Sequence, residues 1–380
     1  MGYIVKKSLI YIQIPLLYIS YYIFKLFVKK EMNKWVIGVD EVASNIYFIS
    51  NVLRPSISVS LSQNIFYNIE YDFSLNIQNR YLNFIVRFFY GPILLGYLAN
   101  NSTHFLYIWR TGFLFDRDIE FKFLKSINKK IVCLFVGSDI RSIKLTIDHA
   151  KKNSIDTHAN YVATNQLTEK YKRKVAESAD KYADLIFNPK IDQISYLKSA
   201  QYGWYYMYDK NKFFKNNSKF NNLETIKILH SPSNPIPKGT QLVRAAIKKL
   251  QIEGYKFEYI ELMNVKNDVV LNHLRTSHIV LNQFYAFLPG LYGIESMANH
   301  TAVLMSADPD IETTLPQDSK DAWMITKYWE VYDNLKYLLD NPEKIKYYAD
   351  NGYEFTKKYY TYEAASIYMN KVLKENGVID

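Results

Sequence analysis

From Trp35 onward the chain alternates short apolar, β-branched runs with longer segments of mixed polarity. WVIGV (35–39), ISVSL (57–61), HFLYIW (104–109), KIVCLFV (130–136) and ADLIF (183–187) read as buried strands. EVASNIYFISNVL (41–53) and LNFIVRFFYGPILLGYLA (82–99) read as helices between them. That alternation predicts an α/β fold with a doubly wound parallel sheet. The pattern lapses over residues 207–224, which are polar, rich in Asn and Lys and without apolar period, as in a linker. It restarts with TIKILH (225–230), a helix over 240–254, KFEYIELM (256–263), a helix near 267–275 and HIVLNQF (278–284). YGIESMANHTAVLMS (292–306) then reads as a glycine turn, a helix of two turns and a strand. Residues 329–376 are almost wholly helical, punctuated by Asn341-Pro342 and Asn351-Gly352.

The expected organisation is therefore two Rossmann-like domains, 34–206 and 225–355, joined by the linker 207–224. A C-terminal helix (356–380) is expected to pack back on the first domain, and residues 1–33 form a separate, membrane-associating segment. A length of 380 residues suits two domains, and 48% hydrophobic with 22% charged residues is a globular composition. With two α/β halves, the cleft between them is the default ligand site.

Charge changes the picture at the N-terminus. Residues 8–24 carry no charge, and around them six lysines (6, 7, 25, 29, 30 and 34) stand against Glu31. Half of the chain's net +10 thus lies in its first 34 residues. The apolar run is short for a spanning helix and contains Pro15, while its tyrosines and lysines suit a headgroup boundary. No small-residue cleavage site follows, which argues against a signal peptide. A single anchor and an interfacial helix both remain, and the stronger basic flank on the C-terminal side puts the body in the cytoplasm in either case. KYKRK (170–174) and KNKFFKNNSK (210–219) suit an anionic membrane surface better than a nucleic-acid groove, so no nucleic-acid partner is expected. The single cysteine, Cys133, excludes an internal disulfide or a Cys-rich metal site and reads as a buried core thiol.

Candidate chemistry gathers at predicted strand ends. Gly290 and Gly293 precede a helix, so backbone N–H groups there can approach an anion, with Glu295 one or two positions inside. A carboxylate beside a phosphate would be repelled, so Glu295 either faces hydroxyls, such as those of a ribose, or complements the helix dipole from the first turn. VGSDIR brings Gly137, Ser138, Asp139 and Arg141 to the C-terminal end of a buried strand, where Asp139 either meets a ligand hydroxyl or caps the following helix. Asp40 and Glu41 occupy the equivalent edge of the first strand. His273 and His278, five apart, do not share a helix face, and no Walker loop, zincin pattern or nucleophile elbow occurs.

YGIESMANHTAVLMS resembles the G-x-x-E-A-M-A-x-G-x-P-V segment of GT-B glycosyltransferases, especially those of glycosyltransferase family 4. ILHSPSNPIPKGT (228–240) resembles the first strand and loop of their nucleotide domain, and YDNLKYLLDNPEKIKYYADNGYEFTKKYY resembles the region after the motif. GVDEVASNIYFISNVL and FVGSDIR look like N-domain segments of capsule and lipopolysaccharide transferases. The resemblance implies a GT-B fold with an acceptor domain first and a donor domain second. It implies Glu295 on the donor ribose, Lys238 on the donor diphosphate, and backbone donors at Gly290, Tyr292 and Gly293. Catalysis would fall to Lys238 and Asp139, with Asp40, Glu41, Gly137, Ser138 and Arg141 on the acceptor side.

The activity implied is hexosyl transfer from a nucleotide sugar to a lipid-linked or polysaccharide acceptor, retaining, without metal or other cofactor, at the cytoplasmic membrane face and with possible partner transferases. The sequence departs from the family at Phe287, where the first glutamate of an E-x7-E pair belongs, and at Ser233, where an arginine is frequent. His300 and Ala302 replace Gly and Pro, leaving Asn299 to take a left-handed conformation. These departures fit an alternative, an inactive GT-B subunit that positions a partner; a nucleotide-sugar epimerase is another. Asp116-Arg117-Asp118 mimics the metal-binding D-x-D of the other main transferase fold, a pattern that arises readily by chance.

Overall fold

A computed structural model describes residues 3–27, 34–61, 69–153 and 168–380. The first domain contains α1 (Tyr3–Phe27), β1 (Trp35–Val39), α2 (Asn45–Val52), β2 (Ser56–Ser60), β3 (Phe73–Ser74), α3 (Arg80–Asn101), β4 (His104–Ile108), α4 (Arg117–Ser126), β5 (Lys130–Leu134), α5 (Ile143–Lys152), α6 (Glu169–Tyr182) and β6 (Leu185–Phe187). All six strands are parallel, in the order β3-β2-β1-β4-β5-β6, with Val36 opposite both Ile57 and Phe105. Every residue of β1 and β4 is buried, as continuous apolar strands covered on both faces must be.

The second domain contains β7 (Ile226–His230), α7 (Pro235–Lys238), α8 (Thr240–Ile252), β8 (Phe257–Glu261), α9 (Asn267–Leu274), β9 (Ile279–Leu281), α10 (Gly290–Ala298), β10 (Ala302–Met305), β11 (Met324–Ile325), α11 (Val331–Asp340) and α12 (Pro342–Tyr359). Its parallel sheet has the order β11-β10-β9-β7-β8. A last helix, α13 (Tyr362–Glu375), lays Ala365, Met369, Val372 and Leu373 against Trp35, Ile46 and Ile49 of the first domain. The chain thus crosses between domains twice, side by side, and the Tyr208 N–H donates to the Tyr360 carbonyl at 2.6 Å.

The second crossing falls at residues 360–361, not at 356, because Asn351-Gly352 does not interrupt α12. Gly352 is there for close packing: a Cβ on it would stand 2.7 Å from the Ala322 carbonyl oxygen. The linker also differs from a polar tether. Lys219 is half-buried with its ammonium turned inward to donate to the Ser277 and Asn299 carbonyls, and Lys210 and Lys215 pair with Glu363 and Glu354.

The N-terminal helix is built into the first domain. α3 contains Pro92, which lacks an N–H and leaves the Phe88 carbonyl without its helical donor. Gln13 of α1 fills that place, donating Nε2 to Phe88 O at 2.9 Å while its Oε1 accepts from Phe115 N at 2.9 Å. Asn100 Nδ2 donates to the Tyr21 carbonyl at 2.8 Å, so the two helices run in the same direction. Leu17 is fully buried, and Tyr18 and Tyr21 pack edge-on against Phe123 of α4. The opposite side of the pair is apolar and open. Ile12, Ile19 and Leu26 on α1 are 53%, 57% and 79% exposed, and Leu82, Ile85 and Phe89 on α3 about half exposed.

A candidate donor site in the interdomain cleft

β9 ends in Asn282 and Gln283, which organise the loop into α10. Asn282 Nδ2 donates to Pro289 O at 2.7 Å, and Gln283 donates to the Leu288 carbonyl and accepts from Lys238 Nζ. α10 begins at Gly290, three residues before the glycine expected to start it. Gly293 is fixed by packing instead, since a Cβ there would stand 2.7 Å from Asn282 Nδ2 and 3.3 Å from Met305 Sδ. One consequence is that the Gly293 amide belongs to the first helical hydrogen bond. The amides left without a helical acceptor at the N-terminus are, among the described residues, those of Gly290, Leu291 and Tyr292.

A second consequence concerns Glu295, now the sixth residue of the helix. That is beyond the first turn, so complementing the dipole does not account for it. Its side chain is only 6% exposed and takes one hydrogen bond, from Asn267 Nδ2 at 3.0 Å, at the start of α9. Burial pushes its carboxyl up to about 7, against the Asn267 hydrogen bond and the Lys212 ammonium. A nearly buried carboxylate with acceptor capacity left over suits hydroxyl donors.

Lys238 closes α7, held there by Gly239 in the left-handed region. The residue as a whole is half-buried, but its ammonium is buried, which lowers its pKa to about 8, opposed by the nearby Asp192 carboxylate. Asp192, in the loop after β6, is the principal site residue that the sequence did not reveal. It accepts from Arg141 Nη2 at 2.7 Å within its own domain and from the Phe287 amide at 2.7 Å across the cleft. A carboxylate from the other domain therefore stands beside the position where the family motif has its first glutamate. Glu312 completes the interdomain clasp, fully buried and accepting from the amides of Lys190, Ile191 and Asp192 at 2.7–3.2 Å.

The acids expected to act from the first domain, Asp139 in catalysis and Asp40 and Glu41 on the acceptor side, are otherwise engaged. Asp139 is fully buried, accepting from the amides of Gly137 (2.8 Å) and Val136 (3.3 Å), and burial raises it to about 6. It holds its own loop instead of facing a ligand, and the cap of α5 is Ser142. Glu41 accepts from Tyr71 Oη at 2.9 Å and from the amides of Ile46 and Tyr47 at the start of α2; burial raises it to about 7. Asp40 pairs with Arg87 at 3.2 Å and accepts from Thr111 Oγ1. Gly137 and Ser138 form the loop beyond β5, with open space around Gly137 and Ser138 half-buried.

Other expectations change as well. Asp116 caps α4 through the amides of Asp118 and Ile119, which is the structural use of Asp116-Arg117-Asp118. Lys172, in the segment read as a membrane-facing basic run, is fully buried and donates to the Arg141 carbonyl, while Lys174 pairs with Asp116. His300, not Asn299, takes the left-handed conformation (φ 57°), and its ring bonds Asp350 and the Asn216 backbone in compensation. Cys133 is buried and accepts from Arg117 Nη2 at 2.9 Å. His278 bonds the backbone of Lys219 and Lys227 in a structural cross-link.

No protein-family model and no curated protein matches the sequence. Solved structures match along nearly the whole chain. Sucrose-phosphate synthase from Thermosynechococcus elongatus aligns with a TM-score of 0.59 at 12% identity, covering 91% of this chain and 99% of that one. HepE from Anabaena, in complex with UDP-glucose, aligns with a TM-score of 0.59 at 11% identity, covering 90% and 99%. WaaG, a glycosyltransferase involved in lipopolysaccharide biosynthesis, aligns with a TM-score of 0.53 at 11% identity, covering 89% and 99%. The chain has the GT-B fold.

Proposed function

We propose that the protein is a glycosyltransferase that moves a sugar from a nucleotide-sugar donor to a lipid-linked or growing polysaccharide acceptor of a cell-surface glycan. The observation that carries this reading is the pairing, on one cleft wall, of a cation and free amides with a hydroxyl-accepting carboxylate. Lys238 and the Gly290, Leu291 and Tyr292 amides suit a diphosphate, and Glu295 suits the ribose beyond it. HepE, solved with UDP-glucose, and WaaG, involved in lipopolysaccharide biosynthesis, share the fold, which supports the same donor class and setting.

The chain's own groups suffice for a retaining transfer without a metal. As the acceptor hydroxyl bonds the anomeric carbon on the face the diphosphate leaves, the bond to the diphosphate breaks and the hydroxyl proton passes to the departing phosphate oxygen, while Lys238 with the α10 amides stabilises the charge growing there. Asp192, brought in by the other domain, orders the loop at Phe287 by accepting from the Phe287 amide and from Arg141. The Asp192–Phe287 and Glu312 contacts hold the reacting groups in register when the domains meet.

The parallel packing of α1 on α3 and α4 favours a monotopic protein over a single-span anchor. A helix fastened along its length to the domain cannot cross a bilayer alone, whereas its open apolar side can lie in the interface of the cytoplasmic leaflet. The test is donor hydrolysis by the purified protein across a panel of nucleotide sugars, with product analysis. Release of free sugar and nucleoside diphosphate supports the transferase, an epimerised nucleotide sugar supports an epimerase, and neither product from any donor supports the inactive subunit.

A further inference from the structure

A second cavity, of about 350 Å³, lies in the first domain between α3, the loop entering α4, and α6. Its cations are Arg87, Arg110, Arg117 and Lys174, and its carboxylates are Asp116 and Asp118. Two of the cations are neutralised, Lys174 by Asp116 at 2.7 Å and Arg87 by Asp40 at 3.2 Å. Arg117 is 8% exposed, lies against the rings of Tyr107, Phe121 and Phe135, donates to the Trp109 carbonyl and Cys133 Sγ, and has the Glu120 and Asp139 carboxyls as electrostatic neighbours. Arg110 has a buried Nε without a hydrogen-bond partner and rests only over the Tyr171 ring, at 5.5 Å, among the described residues. Arg110, without a carboxylate partner among the described residues, thus offers the cavity a guanidinium fork that an anion would satisfy.

The wall of this cavity is shared with the apolar face of the helix pair. Phe84 and Phe115 line it and stack at 4.9 Å, and Phe115 is the residue whose amide Gln13 of α1 holds. Asn83, Phe84 and Arg87 face the cavity from α3, while Leu82, Ile85 and Phe89 of the same turns are exposed on its outer side. An anionic head in the cavity and an apolar chain along α1 and α3 would meet matching surfaces in one molecule.

We propose that this cavity binds the phosphate of a lipid phosphate whose hydrocarbon chain lies along the α1–α3 face. That the lipid phosphate belongs to the sugar acceptor rests on the transferase reading above; the binding itself does not. Arg110 is the principal ligand, its planar fork being free to meet phosphate oxygens bidentately.

The experiment uses the full chain and three probes: farnesyl phosphate, inorganic phosphate and farnesol, with affinity read by titration calorimetry. Farnesyl phosphate is expected to bind at least about tenfold more tightly than either fragment, and Arg110→Gln to weaken it by roughly tenfold to a hundredfold with an unchanged circular dichroism spectrum. Inorganic phosphate binding as tightly as farnesyl phosphate would reduce the cavity to a soluble-anion site and overturn the proposal. Farnesol binding equally well, or an Arg110→Gln protein that keeps full affinity, would overturn it too. If the variant does not fold, the three-probe comparison on the wild type still decides. Nucleoside diphosphates titrated into the same preparation separate the two readings. Loss of farnesyl phosphate binding alone removes the lipid site, and absence of nucleotide binding alone removes the donor site.

Discussion

The two walls of the molecule that carry charge use it in opposite ways. In the second domain, Lys238 donates to a neutral amide with the Asp192 carboxylate nearby, and Glu295 takes a single hydrogen bond among the described residues, so both retain capacity for a ligand. In the first domain, Asp40, Glu41, Asp139 and Asp192 are consumed by an arginine, a helix start, a loop and the interdomain clasp, and the spare charge is the cation Arg110. A carboxylate at a strand end is therefore a poor guide to function by itself. What distinguishes a ligand group is the hydrogen-bonding capacity left after the fold has taken its share.

The sharpest way to break this contrast is Lys238→Ala. Donor turnover should fall by about 100- to 1000-fold, as for other removed charge-stabilising donors; hydrolysis rates within a few-fold of wild type would return Lys238 to a structural role. Next is Gln13→Leu, which leaves the Phe88 carbonyl and the Phe115 amide unpaired and should cost about 2–4 kcal/mol in urea unfolding. An unchanged midpoint would mean that α1 is a detachable appendage.

Glu295→Gln tests the spare capacity through pH. The folded protein holds the Glu295 proton to about 7, the unfolded chain only to 4.5. Between those values the folded state keeps a proton the unfolded state has lost, so the carboxyl withdraws stability as pH rises, with the full cost present above 7. Glutamine has no such titration, so the variant should gain on wild type by on the order of 2–3 kcal/mol from pH 4 to pH 8. A constant difference across that range would place Glu295 in a more solvated setting. The smallest effect belongs to Asp139→Asn, expected to lose about 1 kcal/mol of stability and to leave nucleoside diphosphate affinity unchanged. An affinity loss comparable to that of Lys238→Ala would restore Asp139 to the site.

Much of this was legible in the sequence because it is local. β1, β4 and the start of α8 follow from apolar runs and a Lys-Gly-Thr turn, and it is the resemblance to GT-B transferases that points to Lys238 and Glu295. The two-residue strands β3 and β11 carry too few residues to show a period. Asp192 and Glu312 were hidden because their partners lie 95 to 122 positions away, where no spacing rule reaches. Gly293 misled for a different reason: a glycine before a helix signals a turn, but here it admits the Asn282 side chain and the Met305 sulfur. KYKRK carries less outward charge than its count suggests, because Lys172 points inward.

On the proposed function, Glu295 holds the ribose of a nucleoside diphosphate whose phosphates meet Lys238. Titration calorimetry of UDP, GDP, CDP and ADP into the wild type and Glu295→Ala tests it most directly. One of the four should bind the wild type, and the variant should bind it roughly tenfold to a hundredfold more weakly, at an unchanged circular dichroism spectrum. Equal affinity in a folded Glu295→Ala protein would contradict the account.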